Sequence, residues 1–124
     1  MFEELQRHLS VDESRIYVSG HSYGAMGTLL LLENHPNYFA GAMIAAGAAT
    51  SYTNYKNIAT TSLWMFCGDQ DSGFAAKLNN LYNQLVALNA DVQYTVWPGK
   101  DHGTFSYSAQ NSQVTKWLLS QKLD

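Results

Sequence analysis

Ile16-Tyr17-Val18-Ser19-Gly20-His21-Ser22-Tyr23-Gly24-Ala25-Met26 is the stretch on which the reading of this chain turns. It opens on an apolar, strand-forming run, Ile16 to Val18, and passes into an apolar stretch of helical type, Ala25 to Leu32. Between the two stands Gly20-x-Ser22-x-Gly24. A serine set this way between strand and helix is what a nucleophile elbow requires, because the strand delivers the residue to a tight, strained turn and the helix begins at once beneath it. The pattern carries a steric expectation as well: backbone and helix should approach too closely at Gly20 and Gly24 for a Cβ atom. Ser22 is the candidate nucleophile.

Working outward, Phe2, Leu5 and Leu9 recur at helical spacing and Val11-Asp12-Glu13-Ser14 reads as a turn. A short amphipathic helix, Phe2 to Leu9, therefore leads into a strand, Arg15 to Ser19. Tyr23 to Asn34 is a helix with Met26, Leu29, Leu30 and Leu32 as its apolar face, ended by His35-Pro36-Asn37. Phe39 to Ala46 is a nearly unbroken run of small and apolar residues, as expected of a parallel strand covered on both faces. Gly47 to Thr61 is polar and tyrosine-rich, with one helical turn near Tyr52 to Ile58, before a third strand, Ser62 to Cys67. Ala75, Leu78, Leu81, Tyr82, Leu85 and Leu88 mark another helix, and Val92 to Trp97 a fourth strand. A loop, Pro98 to Gly103, precedes a closing helix, Gln110 to Leu123, with Val114, Trp117, Leu118 and Leu119 on its core side. Strands alternating with helices imply βαβ units with right-handed crossovers. The expected fold class is α/β, a parallel four-stranded sheet flanked by helices, in a single domain over residues 1–124.

Ligand sites of such sheets lie beyond the carboxyl ends of the strands. Ser22, Asp69 with Asp71, and His102 all follow strand ends, so three residue types suited to one chemistry converge on one edge. A serine hydroxyl is a weak nucleophile until a base takes its proton, and an imidazole suits that task because its unperturbed pKa lies near neutrality. His102 is the candidate base. A carboxylate must hold its tautomer. Asp71 is favoured, with Asp69 and Asp101 as alternatives; Asp101 adjoins His102 and is poorly placed to face its ring. Asp71 also suits an N-cap ahead of Ser72 to Leu78. His21 and Phe74 are candidate pocket residues, as are the side chains of Tyr23, Tyr52 and Tyr55, whereas His8 and His35 read as solvated or capping histidines. The four histidines lack metal-ligand spacing, so neither metal nor cofactor is expected.

Composition narrows the remaining classes. A net charge of −3 on 124 residues offers no basic stripe for nucleic acid and no polybasic membrane patch. Cys67 is the only cysteine and, following Met65 and Phe66, reads as a buried thiol. No apolar run approaches the roughly 18 residues of a membrane span, and Met1 to His8 lacks a signal-peptide apolar region, so a soluble chain is expected. The compartment stays open.

The order Ser22, Asp71, His102, with Gly20-x-Ser22-x-Gly24 after a strand, Gly68-Asp69-Gln70-Asp71 after a later one and His102-Gly103 before the last helix, resembles the C-terminal half of an α/β-hydrolase. The stretch from Asp12 to Met26 is similar to carboxylesterases of the feruloyl-esterase and polyhydroxybutyrate-depolymerase type, and to prolyl-oligopeptidase-like hydrolases. The resemblance implies Ser22 as nucleophile, Asp71 as acid member, His102 as base and the Tyr23 backbone N–H as one oxyanion donor. It also implies that earlier strands, with the loop supplying a second oxyanion N–H, fall outside the sequence, so ester hydrolysis through an acyl-enzyme is expected to be weak. The alternatives are an idle truncated half-domain serving as an oligomeric scaffold, or a serine peptidase. The strand Arg15 to Ser19 would then be an open edge inviting another chain. A homodimer with two such strands paired antiparallel is the expectation.

Overall fold

The computed structural model describes residues 2–49 and 51–124; Met1, Thr50 and the side chains of Phe2 and Gln6 lie outside the described residues. Four parallel strands, β1 (Tyr17–His21), β2 (Gly41–Ala45), β3 (Ser62–Gly68) and β4 (Val92–Trp97), lie side by side in chain order. The registers place His21 beside Ala45 and Ala45 beside Phe66, so the carboxyl ends of the first three strands lie level. Among the described residues six helices accompany them: α1 (Phe2–His8), α2 (Tyr23–Asn34), α3 (Tyr55–Ile58), α4 (Ala75–Ala87), α5 (Phe105–Ala109) and α6 (Ser112–Ser120).

Alternation along the strands builds a core on each face of the sheet. Ala42 and Ile44 of β2 and Leu63, Met65 and Cys67 of β3 point to the larger core, where α2 contributes Ala25, Leu29 and Leu32 and α4 contributes Leu78, Leu81 and Leu85. Their neighbours Met43, Ala45 and Phe66 point the other way, onto Val114 of α6. There Trp64, Phe66 and Trp97 form a ladder of stacked rings, at centroid separations of 5.2 and 5.9 Å, and Trp117 meets Trp64 edge-on. Both faces of the central strands are thus dry, which is why β2 reads as an unbroken apolar run.

Several expectations need correction. The first strand runs over 17–21 rather than 15–19, because parallel pairing with β2 continues through Gly20 and His21 to the residue before Ser22. The buried face of α2 is Ala25, Thr28, Leu29, Leu32 and Glu33, a spacing of one helical stripe, and Leu30 is half exposed. Leu119 of α6 also faces solvent. Leu5 and Leu9 are exposed rather than packed against a core. Between the expected loop, Pro98 to Gly103, and the closing helix, residues to which the sequence reading assigns no element form α5, whose Ser108 hydroxyl accepts from the Trp97 indole N–H and donates to the Thr104 carbonyl. Among the described residues, no helix is long and apolar enough to cross a membrane.

The sheet also stores an alkaline liability. Cys67 is buried in β3, and Tyr94 of β4 packs against the same core. Burial pushes the Cys67 thiol up to about 11, and burial likewise raises the Tyr94 phenol above its ordinary value. Both groups are neutral when protonated, and the folded state keeps its protons to higher pH than the unfolded chain. Stability is therefore intact below the ordinary thiol value of 9.0 and falls as pH climbs from there toward about 11. Thermal midpoints recorded from about pH 8 to about pH 11 should decline, and Cys67→Ala should decline less steeply than the parent. Parallel curves for the two proteins would contradict this.

Candidate active site

The turn between β1 and α2 sets the first functional side chain. Ser22 has φ 58° and ψ −116°, a conformation that costs a non-glycine residue about 1–3 kcal/mol and must be held by its surroundings. Three contacts hold it: its N–H donates to the Ala45 carbonyl at 2.9 Å, and its carbonyl accepts from Ala25 N–H at 3.0 Å and Met26 N–H at 3.2 Å. The Ser22 hydroxyl makes no capping bond to α2, which leaves it free for another partner.

Close packing of glycines lets the turn form, though not at both positions the motif suggests. A Cβ on Gly20 would lie 2.1 Å from the Gly24 carbonyl oxygen and 2.6 Å from Thr28 Oγ1. A Cβ on Gly24 would meet nothing within 4 Å, so the expected steric reason for that glycine does not hold. Gly47, just past β2, takes its place: a Cβ there would sit 2.1 Å from the Ser22 carbonyl oxygen. Gly68 at the end of β3 plays a similar part, passing close enough to the Lys100 and Asp101 carbonyls that its Cβ would approach them at 2.1 and 2.5 Å.

The loop carrying His102 is drawn over the end of the sheet by these approaches and by hydrogen bonds from Gln70 N–H to the Lys100 carbonyl, 3.0 Å, and from Gly99 N–H to Asp69 Oδ1, 2.9 Å. There His102 Nδ1 lies 2.7 Å from Asp71 Oδ2, and His102 Nε2 lies 2.8 Å from Ser22 Oγ. A carboxylate only accepts, so Nδ1–H donates to Asp71, and the bare Nε2 accepts from the serine hydroxyl. The Asp71 side chain is 7% exposed while that of His102 is 44% exposed, a buried carboxylate behind an imidazole open to solvent.

The alternative carboxylates are occupied elsewhere. Asp69 holds Gly99, and Asp101 Oδ1 accepts from Gly103 N–H at 3.0 Å. Asp71 does not cap a helix over 72–78; α4 begins at Ala75, and it is the Asp71 backbone carbonyl that accepts from Phe74 and Ala75 N–H. Phe74 stacks on the His102 ring at 5.2 Å. His21 reaches the same residue from the other direction in the chain, with Nε2 donating to the His102 carbonyl at 2.7 Å and its ring 5.9 Å from Phe105. The Tyr23 side chain is 82% exposed. Its backbone N–H, in the first turn of α2 where donors lack helical partners, has no hydrogen bond among the described residues.

Tyr52 and Tyr55 belong to the larger core instead of the site, their hydroxyls accepting from the Ala49 and Tyr52 backbone N–H groups. His8 and His35 are exposed, and His35 is the C-cap of α2. The close approaches at Gly47 and Gly68 and the place of Phe105 beside His21 escaped the sequence reading. Gly47 had one visible signal, its place immediately after a buried strand, where backbone must pass beneath the elbow. Among the described residues, no group of three or more His, Cys, Asp or Glu could hold a metal ion.

Residues 1–72 match the prolyl oligopeptidase family. Poly(3-hydroxyalkanoate) depolymerase C of Paucimonas lemoignei is 30% identical over 114 residues, which cover 84% of this chain and 27% of that protein. A thermostable esterase of known structure is 25% identical and superposes with a TM-score of 0.88 over 98% of this chain and 35% of its own. The Bacillus cereus carboxylesterase, at 22% identity, shares the fold with a TM-score of 0.71 over 94% of this chain and 54% of its own. This chain therefore spans only part of each of these proteins.

Proposed function

Since the chain belongs to the prolyl oligopeptidase family and has the fold of part of an α/β-hydrolase, we propose that it cleaves carboxylic esters through an acyl-enzyme formed on Ser22. The observation that carries this reading is the unbroken path from Ser22 Oγ through His102 to Asp71, with steps of 2.8 and 2.7 Å, at the end of a parallel sheet. Ser22 Oγ attacks the ester carbonyl as His102 Nε2 takes its proton. The same proton passes to the leaving alkoxide, and Asp71 stabilises the imidazolium in between. Water, deprotonated in turn by His102, releases the acid. The Tyr23 N–H is the donor proposed for the oxyanion.

Esters are preferred over amides as substrates because the curated relative is a polyester depolymerase and the superposing proteins are an esterase and a carboxylesterase. The family's description keeps a peptidase as the second reading. Hydrolysis of p-nitrophenyl acetate set against a matched p-nitroanilide separates the two, and comparison with Ser22→Ala tests the reading itself. Equal ester hydrolysis by parent and variant would remove it.

We also propose that β1 pairs with β1 of a second copy. Among the described residues β1 has a hydrogen-bonded neighbour on one side only, and the segment leading into it exposes Leu5, Leu9 and Val11. A two-fold axis makes such pairing antiparallel and joins the two sheets into one. Light scattering at micromolar concentration should give twice the chain mass, and a strictly monomeric species would refute the pairing.

A further inference from the structure

We infer that His21 is a positioning residue that straps the loop of the base to the strand of the nucleophile. The inference rests on the proposed hydrolase reading, and it turns on a closed figure of contacts. Ser22 Oγ meets the His102 ring at Nε2, 2.8 Å away, while the adjacent His21 donates from its own Nε2 to the His102 backbone carbonyl at 2.7 Å. Two consecutive residues thus grip one histidine at two points, side chain and main chain.

The other ties of this loop run elsewhere. Gly99 is held by Asp69 and Lys100 by Gln70, both in the turn after β3, and Gly103 is held by Asp101 within the loop itself. Those bonds fix the loop relative to β3, which also delivers Asp71. The nucleophile comes from β1, two strands away. A base referenced only to the β3 turn would keep Asp71 within reach but lose its fixed distance to Ser22, and with it the ordered placement that keeps the proton between Nδ1 and Asp71 from exchanging. The His21 bond references the loop to β1 directly. Because a carbonyl only accepts, the bond also sets the His21 tautomer, with Nε2 carrying hydrogen. His21 lies 5.1 Å from the His102 ring, tilted by 45°, close enough to pack against it, and among the described residues no hydrogen bond joins it to the Ser22 hydroxyl.

Two substitutions separate the hydrogen bond from packing. His21→Phe keeps a ring of similar size against Phe105 and His102 and removes the donor. His21→Gln removes the ring and keeps an N–H donor at comparable reach. With p-nitrophenyl acetate as substrate, His21→Phe is expected to lose about 10- to 100-fold in kcat with KM nearly unchanged, since a misplacement on the order of 1 Å costs that much. His21→Gln should stay within a few-fold of the parent. The reverse ranking, a His21→Phe variant equal to the parent, or equal losses in both would overturn the strap.

A second readout does not depend on turnover. The proton on His102 Nδ1, held by Asp71, gives a low-field NMR signal that should persist in His21→Gln and broaden by exchange in His21→Phe. A parent that shows this proton but no hydrolysis would sink the hydrolase reading alone. Identical proton signals in all three proteins would sink the strap alone.

Discussion

Ser22→Ala should lower the rate of p-nitrophenyl acetate hydrolysis by about 10³- to 10⁴-fold. Removing the serine from a complete triad costs on the order of 10⁶ in kcat. The proposed reading names one oxyanion donor, the Tyr23 N–H, and each such donor is worth about 10²–10³, so the expected loss is set lower by that amount. The loss should come without unfolding. Ser22 Oγ caps no helix, and its one hydrogen-bond partner among the described residues is His102. Alanine faces the same backbone strain at φ 58° as serine does. Steady-state kinetics paired with thermal unfolding check both halves. A variant of full rate would remove Ser22 from the chemistry, and one that fails to fold would assign the hydroxyl a structural role instead.

Gly20→Ala and Gly47→Ala are expected to destabilise the chain by about 3 kcal/mol or more each, at or beyond the upper end of ordinary overpacking. In both cases the new carbon would stand 2.1 Å from a backbone oxygen, of Gly24 in one and Ser22 in the other, and backbone cannot swing aside as a flexible side chain does. Relief would require opening the turn that aims Ser22. Gly24→Ala belongs to the same pentapeptide, meets nothing within 4 Å, and should change stability by less than about 1 kcal/mol. Urea unfolding of the three variants gives the comparison. Equal damage at Gly20 and Gly24 would mean that the elbow is held by something other than these approaches.

Much of this arrangement could be read from residue order. Periodicity located all four strands and the bounds of α2, since buried parallel strands and crossover helices leave strong, distinct patterns. That Ser22, Asp71 and His102 come together was legible because each follows a strand end, and parallel topology places such ends on one side of a sheet. The misses have physical causes. Gly20 and His21 look like turn residues, yet strand pairing reaches them because the turn proper is compressed into Ser22. Leu30 and Leu119 are as apolar as their buried neighbours, and composition does not state which stripe of a helix meets the sheet. α5, Phe105–Ala109, is too short for a helical period to show; a tryptophan on β4 anchors it through Ser108. His21 reads as pocket lining because its partner is a backbone carbonyl 81 residues away, and backbone carbonyls leave no trace in a sequence.

Glycines divide along the same line. A motif records that glycine occurs, whereas the reason for it lies in what passes nearby in space. Gly20 and Gly47 face backbone from α2 and the elbow, and Gly68 faces the His102 loop. Only the first of these belongs to the recognisable pentapeptide.

Treating the folded chain with an alkyl fluorophosphonate and recording the intact mass, with peptide mapping of the adduct, asks whether Ser22 is activated by His102. The expected result is one adduct per chain, on Ser22, lost in Ser22→Ala and strongly slowed in His102→Ala. A folded chain that gains no mass, or an adduct that survives removal of Ser22, would contradict it.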